Sequence, residues 1–149
     1  LDFTSSTFLP HNVSYAMFKK YNFSYRECNR FKTMYNMVKK HIEIGKVGML
    51  DENNYTLAFD IILPIIIAFK IKDNNAYLKC INGNKHDSLK EALIYVKNDF
   101  SKTYHGGWLK ELAHTDKEDE IEAILEKYEN FKDNRFYKDL FDNCIKMTL

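Results

Sequence analysis

Proline and glycine are scarce in this chain of 149 residues, which has two of the first and five of the second. Such sparse punctuation leaves no place for long linkers or low-complexity tracts, and no internal repeat interrupts the chain. Charge of one sign is also missing. The 22 Lys and Arg are offset by 21 Asp and Glu, a formal net charge of +1, so the bulk field that holds a non-specific polyanion binder to its partner is absent. Neither a nucleic-acid partner nor a membrane partner is expected. The cysteines, Cys28, Cys80 and Cys144, are odd in number and form no CxxC pair, which argues against a disulfide scaffold and for a reducing, cytoplasmic setting.

Long apolar runs are lacking too. The longest, residues 61–69, contains Pro64 and is bounded by Asp60 and Lys70, whereas a membrane-spanning helix needs about 20 apolar residues. The chain starts at Leu1 with no basic segment leading into an apolar one, so no secretory signal is expected, and a processed protein or an excised fragment fits that start. Three Asn-x-Ser/Thr triplets begin at Asn12, Asn22 and Asn54. The abundance of Asn accounts for them, and glycosylation is not expected.

Catalytic signatures are equally thin. A phosphate-cradling loop needs closely spaced glycines before a helix and, in its P-loop form, a Lys followed by Ser or Thr. Here Gly45-x-x-Gly48 leads into Met49 and Gly106-Gly107 into Trp108, so neither string qualifies. The histidines, His11, His41, His86, His105 and His114, are dispersed, and no metal site is expected. Cys28 lies on an apolar helix face, which makes it a buried structural thiol rather than a nucleophile. Asp60 sits among Ile and Leu and must be paired, neutralised or at the rim of its helix. Catalysis there would need a second convergent carboxylate. Trp108 is read as buried, and the acidic run 116–122 as the first turn of a helix, where negative charge complements the dipole.

What is present is a large apolar stock, 45% of residues with 15% aromatic, enough for one core. Residues 1–149 are therefore read as a single helical domain, because apolar residues recur at three and four rather than at two. A first helix is expected over 11–21, with Val13, Ala16, Met17 and Tyr21 inward. Ser24-Tyr25-Arg26-Glu27 is a capping box opening a helix whose buried face is Cys28, Phe31, Tyr35, Val38 and Ile42, with Gly45 as its stop and Arg30, Lys32, Lys39 and Lys40 outward. A third helix is expected over 53–71, apolar on every side at its centre and so the hub of the fold. Pro64 should kink or divide it, and a strand at 61–69 is the alternative.

A short helix over 74–81 should end at Asn82-Gly83. Ser88 to Glu91 and Thr115 to Glu118 read as two further capping boxes, the first opening a helix with Leu89, Ala92, Leu93 and Val96 inward, the second one with Ile121, Ile124, Leu125 and Tyr128. A final helix is expected over 133–146, with Phe136, Leu140, Cys144 and Met147 on a stripe. The expected fold is mainly α, an irregular bundle of about six or seven helices around a buried apolar helix.

Residues 24–73 carry a further pattern: Ser-Tyr-Arg-Glu-Cys-Asn-Arg-Phe, a helix, then Leu-Ala-Phe-Asp-Ile-Ile-Leu-Pro-Ile-Ile-Ile-Ala-Phe-Lys-Ile-Lys-Asp. This resembles the helical region that follows the nucleotide core in KAP-type P-loop ATPases, often associated with anti-phage systems. The resemblance implies that Arg26 is a lid arginine approaching the γ-phosphate of ATP, and that the chain is a lid or regulatory domain whose partner is the remainder of the ATPase. The departure from that family is the missing P-loop and acidic Walker B string. ATP would then be a cofactor only of the full-length protein, and this chain a C-terminal fragment of it. The other reading is a free-standing helical interaction protein, such as a viral host-factor binder or an immunity protein, in which Tyr and Phe supply the contact surface.

Overall fold

The computed structural model describes residues 11–44, 57–82, 86–100 and 119–132. They form six α-helices and one π-helical turn, with no strand among them. The mainly α expectation holds.

Helix α1, His11–Lys20, turns Val13, Ala16 and Met17 fully inward. It stops at Asn22, whose φ of 51° places it in the left-handed region. The amides of Asn22 and Phe23 donate back to the carbonyls of Lys19 and Phe18, at 3.4 and 3.0 Å, the bonding pattern of a Schellman cap. Asn tolerates that conformation better than most side chains because its short amide bonds locally.

Helix α2, Tyr25–Ile44, starts on the expected box. The Ser24 amide donates to Glu27 Oε1 at 2.9 Å, and the Glu27 amide donates to Ser24 Oγ at 3.1 Å. Phe31, Met34, Tyr35 and Val38 fall on its buried face. A Ser24→Ala variant is expected to lose about 1 kcal/mol of stability, the usual worth of such a cap, read as a lower urea midpoint with an unchanged slope. A change below a few tenths would show that packing alone fixes this end.

The π-helical turn Leu57–Ile62 leads directly into α3, Leu63–Lys72. Residues 61–69 are buried throughout, so the run is the helical hub and not a strand. The interruption expected at Pro64 takes the form of a change in helix type. Pro64 falls in the first turn of α3, where its missing N–H costs least. Tyr35 Oη donates to the Phe59 carbonyl at 3.2 Å and pins the wide turn to α2.

Asp73 joins α3 to α4, Asn74–Asn82. Its amide donates to the Phe69 carbonyl at 2.7 Å while its carboxylate accepts from the Ala76 amide at 3.2 Å. One residue thus closes one helix and caps the next.

One of the expected capping boxes, that at Ser88 to Glu91, needs correction. Helix α5 runs Asp87–Phe100, so Ser88 lies inside its first turn, and the first turn closes through Lys90 N–H to the His86 carbonyl at 2.8 Å. Glu91 points instead to Lys20 of α1, at 3.2 Å. Helix α6 runs Glu120–Lys132, and its cap is Asp119, whose Oδ1 accepts from the amides of Ile121 and Glu122 at 3.1 and 3.2 Å. Residues 115–118, 45–56 and the helix expected over 133–146 lie outside the described residues.

Helix α3 is contacted by α1, α2, α4 and the π turn, while α5 packs on α1, α4 and α6. The inward residues expected on α5 and α6 are all buried. Tyr128 Oη donates to the Cys80 carbonyl at 2.8 Å and ties α6 to α4.

Candidate functional site

The residue the sequence singles out, Arg26, stands in the first turn of α2, and its side chain is exposed. Its neighbour Glu27 is already engaged. Besides its cap bond, Glu27 Oε1 accepts from Lys72 Nζ at 2.9 Å, joining the start of α2 to the end of α3. The Ser24 amide, then Lys72, hold this carboxyl below the ordinary carboxylate range. One turn further along α2, Arg30 is exposed as well. Among the described residues neither arginine makes an ion pair.

Helix α3 adds Lys70, whose ammonium lies 5.2 Å from the centre of the Tyr77 ring. Burial, then the nearby charge of Arg30, lowers its pKa. Arg26, Arg30 and Lys70 therefore make a local cationic surface on a chain that is nearly neutral as a whole. Tyr25 and Met37 leave large apolar area on the same helix, at 74% and 52% exposed. Chemically, such a face suits planar carboxylates or phosphates, because a guanidinium presents paired donors and keeps its charge.

Asp60 is half-buried on the π turn. Burial pushes its carboxyl up to about 6, with Lys39 of α2 pulling the other way. Among the described residues the charge acting on it is this cation rather than the second carboxylate that acid-base catalysis requires. Cys28 is buried as expected, and burial raises its thiol.

Nothing in the sequence pointed to His86. Its Nε2 contacts a Glu129 carboxylate oxygen on α6, and its ring meets that of Tyr128 edge-on at 5.3 Å. The partners lie 43 and 42 positions away, a separation that periodicity does not reveal. Among the described residues no group of three or more His, Cys, Asp or Glu is arranged to hold a metal ion, and no helix is long and apolar enough to cross a membrane. His105, His114, Trp108 and Cys144 lie outside the described residues, as do the side chains of His11 and His41.

The fold and this face define an all-α helical bundle with a cationic outer helix. No known protein family, curated protein or solved structure matches the chain significantly.

Proposed function

We propose that the chain is a non-catalytic helical domain that works by contact with a larger protein, and that this protein is a P-loop ATPase for which it serves as lid or regulatory element. The observation that carries the reading is the exposed Arg26 at the start of α2, one turn before Arg30 and beside a carboxylate already committed to Lys72. A guanidinium so placed is available to an outside anion such as the γ-phosphate of ATP. Its backbone is held by the capping box, so the side chain starts from a fixed point.

The test is ATP turnover by the full-length product carrying Arg26→Ala. A fall of about 10- to 150-fold, the size of one lost charge-assisted contact of about 1.5–3 kcal/mol, is the expected result. Unchanged turnover removes the lid reading.

The exposure of Tyr25 and Met37 favours a second reading, a free-standing interaction module, since Tyr, Met and Arg are enriched where proteins meet. Under that reading a tight protein partner is recovered without nucleotide, and Tyr25→Ala weakens the complex.

A further inference from the structure

Arginine is used three times against nineteen lysines in this chain, and two of the three, Arg26 and Arg30, stand one helical turn apart on the exposed side of α2. On α6 the exposed residues Asp119, Glu122, Glu126 and Glu129 recur at intervals of three and four, so they line one stripe of that helix. Helix α2 packs on α3 and helix α6 on α5, which leaves the two charged faces on separate elements of the bundle. Side chains four apart on a helix are about 6 Å from each other. The Arg26–Arg30 and Glu122–Glu126 spacings therefore match.

We propose that the α2 face is an interaction surface whose occupant is the α6 face of a second copy of this chain. Each guanidinium would take one carboxylate as a planar, two-bond pair, with Met37 supplying apolar area beyond the charges. Glu122 already accepts from Lys90 at 3.1 Å, Glu129 contacts His86, and Glu126 is engaged within the chain as well. All three acids remain exposed, and surface ion pairs contribute about 0–1 kcal/mol, so exchange of such partners for an arginine fork is not opposed by much. The inference goes beyond the lid reading and does not depend on a nucleotide core.

The measurement is the mass of the protein by light scattering across a concentration series. The wild type should associate at low salt and return to monomer in about 1 M salt, where the screening length falls to about 3 Å. The double variant Arg26→Glu/Arg30→Glu should raise the dissociation constant at least about tenfold, and so should Glu122→Arg/Glu126→Arg, each retaining helical circular dichroism. Mixing the two variants should restore association, because each then offers the charge the other lacks. A wild type that stays monomeric at low salt overturns the proposal. So does an association indifferent to salt, or a mixture no tighter than its parts.

Discussion

Replacing Phe69 with alanine is expected to remove about 3–5 kcal/mol of folding stability, the range for truncating a buried aromatic side chain. Phe69 is fully buried near the end of α3, and its ring meets that of Tyr21 edge-on at 6.2 Å. The hole would open inside the hub, where α1, α2, α4 and the π turn all converge on α3. Its lining belongs to different helices that cannot all move inward at once, so little of the cavity would close. The Asp73 amide bond to the Phe69 carbonyl should survive, because it is a backbone contact. Against a typical total of about 5–15 kcal/mol, the loss is large enough to leave a measurable unfolded fraction at moderate temperature. Urea titration followed by circular dichroism reads it as a lower midpoint. Tyr21→Phe is the control, since Tyr21 is half-buried and keeps its ring in that variant; burial pushes its hydroxyl pKa up to about 12. A loss below about 1 kcal/mol in Phe69→Ala would mean that α3 is not the hub.

The hub was legible because its signal is local: residues 61–69 are apolar on every side, and only a segment buried all round tolerates that. The first capping box was legible for the same reason, since Ser24 and Glu27 satisfy each other across a single turn. Ser88 and Glu91 have the same spacing and do not form the box. Glu91 meets Lys20, which stands 71 positions earlier, and helix α5 has already begun at Asp87. A three-residue pattern cannot register a competing partner brought by the fold.

The π turn was illegible for a related reason. Residues 57–62 have an ordinary helical composition, and what accompanies their wide turn is the proline of the next segment and the Tyr35 hydroxyl from α2. The same limit applies to the outer surface. Arg26 was picked out by the resemblance its Ser-Tyr-Arg-Glu string carries, whereas the approach of Arg30 to Lys70 needed α2 and α3 side by side. The Lys72 bond that takes Glu27 away from Arg26 spans 45 positions and likewise has no trace in local spacing. Asp60 could be recognised as a carboxylate in apolar company, but Lys39 as its counter-charge could not.

That counter-charge is incomplete, and Asp60→Asn is expected to stabilise the protein at neutral pH. An aspartate in an unfolded chain titrates near 3.9, while burial raises the folded value to about 6, against the pull of Lys39. Between those two values the folded state holds a proton that the unfolded state has released. From this group alone, stability is therefore greatest below about pH 4, falls as pH rises to about 6, and stays reduced above that. A shift of two units corresponds to about 3 kcal/mol. Asp60 is only half-buried, and solvent screening brings the expected gain in Asp60→Asn down to about 1–2 kcal/mol. The gain should be present at about pH 7.5 and absent at about pH 4, where the wild-type carboxyl is already neutral in the fold. Glu27 and Glu120 act in the opposite sense. The Ser24 amide holds the first low; for the second, burial pushes upward, but the Lys97 hydrogen bond, a backbone hydrogen bond and the Lys97 charge together outweigh it. Both are common to the two proteins, so the difference between their urea profiles isolates Asp60. Lys39→Ala should deepen the wild-type penalty at neutral pH by removing the cation that opposes it. A variant difference that is flat from pH 4 to 7.5 would instead place the Asp60 carboxylate in water.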